Sequence, residues 1–278
     1  MPLKNALSFG LVSIGLVLAH PILAAEDPSP KALIEEAQEI YAGHDSISKL
    51  SFTIHNPDKR DRHEDYTMLW MEPESGSIED KTLLFQTFPP DKLGVAFMNW
   101  TYREAADHED DSWLYLPELR TVRKISHGAH HRRHDHRQDP DDEFSLSVLQ
   151  RAQLLERNPE MDHLFRLPAR TVDNKTYIRI ERTPKTAMPD FPFSRSVVWI
   201  TGTPARIEHI DYYDANDKLV LRQDITWQQI GKAWVWKEVR ADAPGKDTWT
   251  RLEVSDVRVD TGLKEREFSK RRMRQGYR

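Results

Sequence analysis

The stretch Asp111–Ser126, DSWLYLPELRTVRKIS, constrains the fold more than any other. It reads as two short β-type runs, SWLYL and TVRKI, separated by Pro117-Glu118-Leu119-Arg120. Successive side chains of a strand point to opposite faces, so Trp113 and Tyr115 share one face and Leu114 and Leu116 the other. A strand with one watery face would alternate apolar and polar residues. This one is apolar on both, so it is either covered twice or has one side on a cavity. The rest of the chain must supply the second cover.

Similar short runs fill most of the sequence. Strands are predicted at 49–55, 64–72, 81–88, 94–102, 112–116 and 121–126, then at 163–169, 175–182, 194–200, 205–213, 218–228, 233–241 and 248–258. Turn residues separate them, as in Asn56-Pro57-Asp58, Pro89-Pro90-Asp91 and Pro244-Gly245-Lys246. Connections this short pair neighbours antiparallel, because a parallel pair needs a long crossover. No helical segments alternate with the strands, which argues against a doubly wound α/β fold. Two amphipathic helices stand apart. Ser29-Pro30 supplies an N-cap and a first-turn proline. Leu33, Ala37, Ile40 and Tyr41 then share a face, with Gly43 as a stop. Phe144, Val148, Leu149, Ala152 and Leu155 follow the same spacing before Asn158-Pro159. A long antiparallel sheet buries two such helices by curling around them. The predicted class is therefore α+β, mainly β: a curved, half-open antiparallel barrel with helices on its concave side.

Residues 1–25 read as a secretory signal peptide. Lys4 is the charged start, Leu7–Ala19 the apolar run, and Ala24/Ala25 the small-residue cleavage end. The run is 13 residues, short of the roughly 20 that span a bilayer. The chain has no cysteine, which excludes disulfides, thiol chemistry and a lipid-modified cysteine at the cleavage site. An exported, cysteine-free chain fits the periplasm. Residues 26–278 are predicted to form a single domain, with a His-rich loop at 127–143. The net charge of −5 does not point to nucleic acid.

Several stretches resemble the outer-membrane lipoprotein-sorting family, periplasmic proteins related in fold to the carriers LolA and LolB. SWLYLPELRTVRKIS (112–126) is the most specific. It is joined by VDNKTY (172–177), SRSVVWI (194–200), RIEHIDYYDANDKLV (206–220) and FSKRRMRQGYR (268–278). The order and spacing hold from about residue 30 to the end. The resemblance implies a half-open barrel around helices, with a hydrophobic cavity for the acyl chains of a lipid or lipoprotein. It also implies work beside an efflux-type transporter of the inner membrane. The family pattern carries a Gly-Ser-Asp-Phe-Ser-Tyr run after the basic strand. Here Asp142-Glu143-Phe144-Ser145-Leu146 keeps only part of it, behind a histidine-rich insert.

Cavity candidates are the large apolar residues of the predicted strands: Trp70, Phe85, Phe97, Trp100, Trp113, Leu114, Tyr115, Leu116, Trp199, Tyr212 and Trp227. Taken singly, each is ordinary core; taken together, they give more apolar surface than two helices cover, which favours a groove. Strand parity alone leaves open which of them face inward. Five of the twelve histidines, His127, His130, His131, His134 and His136, lie within ten residues. Imidazole-rich tracts bind zinc, copper or nickel, so a divalent metal at this loop is the alternative reading, against a solvated tract without preformed geometry. Arg120, Arg123, Lys124, Arg271 and Arg272 are docking candidates for a membrane surface or a transporter, against plain solvated strand and tail ends. A transporter adaptor that binds no lipid is a third reading. No nucleophile elbow, zinc-protease motif or phosphate loop is present, so neither catalysis nor a cofactor is expected.

Overall fold

The computed structural model describes residues 27–103, 108, 110–125, 148–149, 154, 157–186 and 191–277. The predicted signal peptide, the His-rich loop and most of the second predicted helix lie outside them. Among the described residues no helix is long and apolar enough to cross a membrane.

All thirteen predicted strands are present. They are β1 (Asp45–His55), β2 (Arg62–Met71), β3 (Ile78–Phe88), β4 (Ala96–Tyr102), β5 (Asp111–Leu116), β6 (Thr121–Ile125), β7 (Asp162–Val172), β8 (Lys175–Pro184), β9 (Arg195–Thr201), β10 (Arg206–Tyr213), β11 (Leu219–Ile230), β12 (Ala233–Ala243) and β13 (Thr248–Val259). They make one open antiparallel sheet in the order β6-β5-β4-β3-β2-β1-β13-β12-β11-β10-β9-β8-β7. Two meanders therefore stand side by side, closed at the centre by the first and last strands. Turn chemistry fixes the register locally. Asp173 and Asn174 take left-handed φ of 48° and 64° in the two-residue loop between β7 and β8, a loop that requires positive φ and favours Asx residues.

The two edges are β6 and β7, and residues 126–161 connect them in the sequence. Of that stretch, Val148, Leu149 and Leu154 pack with Leu50, Phe52, Tyr66, Tyr212, Leu221, Ile225, Val239 and Leu252. Registered pairs place these strand residues on one side, called here the front face: Leu50 opposes Val254 and Tyr66, and Phe52 opposes Leu252. Helix α1 (Pro30–Gln38) covers the β7–β10 end of the same face, burying Leu33, Ile34 and Ala37 on Ile180, Val198 and Ile200. The Ser29 hydroxyl caps it, accepting from Ala32 N–H at 3.1 Å. The helix ends at Gln38 rather than near Gly43, so Ile40 and Tyr41 lie beyond it, and the Tyr41 hydroxyl donates to Asp260 at 2.9 Å.

The back face of the β1–β6 half has a cover that periodicity did not reveal. After β13 the chain turns back across this half and ends in a short helix, α2 (Lys270–Gln275). Phe268 and Met273 are 1% and 0% exposed against Leu69, Met71, Leu83, Phe85, Met98, Trp113 and Tyr115. Asp45 anchors the start of this strap. Its carboxylate accepts the backbone N–H of Thr261 and Gly262, each at 2.8 Å, and of Leu263 at 3.2 Å. Helix cover is thus divided between the two faces: α1 lies on the front and α2 on the back.

Candidate ligand-binding face

The cavity candidates divide between the two faces, so no single cavity is lined by all of them. Met98 opposes Trp113 and Ala96 opposes Tyr115, and Phe85 opposes Ala96 in turn. Phe85, Trp113 and Tyr115 therefore look to the back, buried beneath the C-terminal strap. Trp100 shares that side, its ring edge-on to Trp113 at 4.9 Å. The doubly apolar strand of the sequence is explained directly: β5 is covered behind by Phe268 and Met273, more than 150 positions further along the chain.

Its front side is different. Leu114 opposes Phe97, Phe97 opposes Leu84, and Leu84 opposes Met68. This gives a straight apolar row across β2–β5 in which all four side chains remain half-buried. Trp70 and Leu116 stand in neighbouring rows on the same face and are half-buried as well. Met68 and Leu84 join the front-face core, which continues through half-buried Trp227 and Trp236. Tyr212 is 4% exposed in that core, its hydroxyl donating to Gln223 at 2.9 Å. Burial raises its phenol pKa strongly, keeping it neutral. The front-face candidates are thus Trp70, Phe97, Leu114, Leu116, Tyr212 and Trp227.

Two polar clusters frame this face. At the β1–β3 end, Glu64 is buried and accepts from the Tyr66 hydroxyl at 2.7 Å. Arg62 and Lys92 lie 2.9 and 3.4 Å from its carboxylate. At the β7–β8 end, buried Asp162 receives Arg182 Nε at 2.8 Å and Arg157 Nε at 3.0 Å. Burial, then the neighbouring Arg157, depresses the Arg182 pKa. The Arg157 guanidinium also lies 3.9 Å from the centre of the Phe191 ring, coupling this ion cluster to the front-face core.

Trp199 belongs to neither group. It lies on the back of the β7–β10 half with Tyr177 and Val197. Arg179 and Arg170 lie 5.1 and 5.6 Å from its ring centre, their stems shielding the indole much as the strap shields Trp113. An open cleft of about 400 Å³ at the end of α1 is lined by Glu36, Glu39, Ile40, Tyr41, Pro204, Lys232 and Trp234. It is formed by the end of α1 with the β9–β10 and β11–β12 turns and shares no residue with the apolar row.

The docking candidates divide too. Lys124 opposes Trp113 and so shares the back face with α2, where it pairs with Asp111. Arg123 opposes Leu114 and looks to the front. Arg120 is exposed in the β5–β6 turn at φ 51°. Arg271 is exposed, whereas half-buried Arg272 pairs with Glu267 at 3.2 Å. The five histidines lie outside the described residues, among which no group of three or more metal-ligating side chains occurs.

A family model described as "Uncharacterized protein" matches residues 78–275. None of the curated proteins matches the chain. Among solved structures, a DUF1329 family protein from Desulfovibrio piger is similar with a TM-score of 0.72 and 23% identity, covering 88% of this chain and 97% of its own. A domain from Vibrio parahaemolyticus, described as that of an outer membrane lipoprotein-sorting protein, gives 0.69 and 23% over 88% of this chain and 100% of its own. A LolA superfamily protein from Nitrosomonas europaea gives 0.59 and 15% over 88% and 100%. These likenesses show the fold, which is of the LolA type.

Proposed function

The chain belongs to the family whose model, described as "Uncharacterized protein", spans residues 78–275, and from its LolA-type fold we propose that it is a periplasmic carrier. It holds the acyl chain of a lipid or lipoprotein against the front face of a curled, half-open sheet. The cargo is carried and not transformed. An acyl chain needs no catalytic partner, only a continuous apolar surface that excludes water, and each buried methylene contributes about 0.8 kcal/mol. Ten methylenes then offset much of the roughly 4–15 kcal/mol cost of association. The observation that carries this reading is the row Met68–Leu84–Phe97–Leu114, with Trp70 and Leu116 beside it. It extends the front-face core across four strands while staying half-buried. Lipoprotein sorting, as described for the Vibrio parahaemolyticus domain, supports the choice of cargo. A carrier of this kind loads from or delivers to a membrane component, and an inner-membrane efflux-type transporter is the proposed counterpart. Organic extraction of the protein purified from its native periplasm, followed by mass spectrometry, tests the reading. Stoichiometric acyl lipid or lipopeptide is expected, and a chain that is empty and fails to bind added acyl probes would refute it.

A further inference from the structure

We infer that one rim of the sheet, formed by the β3–β4 and β5–β6 turns and the end of α2, docks on an anionic membrane surface. Four large apolar side chains that are exposed meet there: Phe88 at 41%, Leu93 at 62%, Leu119 at 54% and Tyr277 at 40%. Phe88 closes β3, Leu93 lies in the turn that follows it, and Leu119 lies in the β5–β6 turn. The two turns touch, since a Cβ placed on Gly94 would lie 3.5 Å from Pro117 Cγ. The Tyr277 ring reaches the same end, 6.1 Å from that of Phe85, a residue paired with Ala96 just inside the turn.

Charge distinguishes this rim. Within the two turns the signs balance, Asp91 against Lys92 and Glu118 against Arg120. The excess comes from α2, whose sequence KRRMRQ holds four cations and no acid. Met273 is its inward residue, while Lys270, Arg271 and Arg274 are exposed. The helix runs toward the rim: the Lys270 ammonium lies 5.4 Å from the Trp113 ring in mid-strand, and the Arg272 guanidinium 5.8 Å from Phe85 nearer the turn. Leucine and aromatic side chains on turn tips and a chain end, backed by cations, match a bilayer interface. There the apolar tips enter the acyl boundary and the cations stay at the lipid phosphates. The tips sit on turns, not in a groove, so they offer no seat for a partner helix or strand.

The inference does not depend on the cargo, because docking is measured with vesicles alone. The full chain is floated with vesicles of phosphatidylglycerol and phosphatidylcholine, and with phosphatidylcholine alone, at low salt. It is expected to float with the anionic vesicles. Leu93→Asp/Leu119→Asp is expected to lower its partition at least about tenfold, and Lys270→Glu/Arg271→Glu/Arg274→Glu to the level seen with neutral lipid. The milder Leu93→Ser/Leu119→Ser pair, with an unchanged melting temperature, guards against misfolding as the cause. Absence of wild-type binding to anionic vesicles, undiminished binding by the folded variants, or capture only by an added protein would overturn the inference. Acyl-probe binding in solution is expected to be unaltered in all these variants, which separates failure of the rim from failure of the carrier reading.

Discussion

Lys81 Nζ lies 2.6 Å from Glu265 Oε2, tying the third strand to the C-terminal strap. Lys81 is only 4% exposed, and its ammonium also sits 4.9 Å from the centre of the Trp100 ring. The strap thus supplies a carboxylate to this face as well as Phe268 and Met273. The back face of the β1–β6 half is therefore part of the folded core. This confines the ligand reading to the front.

Phe268→Ala is expected to destabilise the protein by about 3–5 kcal/mol, as a fully buried aromatic truncated in a packed cluster. Glu265→Gln is expected to cost about 1 kcal/mol, because Glu265 itself is largely exposed and its pairing is screened. Urea unfolding followed by tryptophan fluorescence reads both, and equal effects of the two substitutions would contradict the assignment of Phe268 to the core.

Asp162 neutralises two arginines at once, and its loss leaves Arg182 buried without a carboxylate. Asp162→Ala is expected to cost about 3–5 kcal/mol. The same measurement checks it, and a cost below about 1 kcal/mol would mean that water replaces the carboxylate.

Burial is the largest influence on Asp80, which is half-buried, and pushes its pKa up from 3.8 to about 6. A carboxyl raised in the folded state holds its proton more tightly there than in the unfolded chain. Its contribution is therefore complete below about pH 3.8 and is lost as pH rises to about 6. Asp80→Asn is expected to stabilise the protein at pH 7 by on the order of 1–2 kcal/mol, with the gain vanishing near pH 4. Melting temperatures of both proteins across that range test the sign; a gain that grows toward low pH would reverse it.

Deleting 127–137, a tract with no apolar residue larger than alanine, is expected to leave the melting temperature and acyl-probe affinity unchanged, because such a tract buries little surface. Loss of either would assign the tract a structural or binding role. Titration of the intact chain with zinc, copper or nickel tests the metal reading, with tight stoichiometric uptake required to sustain it.

The strands were legible because their runs are bounded by explicit turn residues and rich in β-branched and aromatic side chains. The first helix was legible from its cap, although Glu39 rather than Gly43 closes it. Helix α2 was not legible. KRRMRQ carries one apolar residue, so no periodicity marks it, and a helix this short is held by the packing of Met273 and Phe268 rather than by propensity. Without the strap, the sequence alone leaves open which side of β5 is covered. Parity correctly set Trp113 with Tyr115 against Leu114 with Leu116, but which pair was covered depended on a contact between β5 and the chain terminus. The register then sorted the aromatics, placing Phe85 and Trp100 behind and Phe97 and Trp70 in front.

The most direct test of the carrier account is the affinity of the purified, delipidated chain for a fluorescent acyl probe, compared between front-face and rim variants. Saturable one-to-one binding is predicted for the wild type. Phe97→Asp and Leu114→Asp should weaken it at least about tenfold, since each places a charge on the apolar row, and Leu93→Asp/Leu119→Asp should leave it unchanged. Failure of the wild type to bind, or equal binding by the wild type and both front-face variants, would contradict the account.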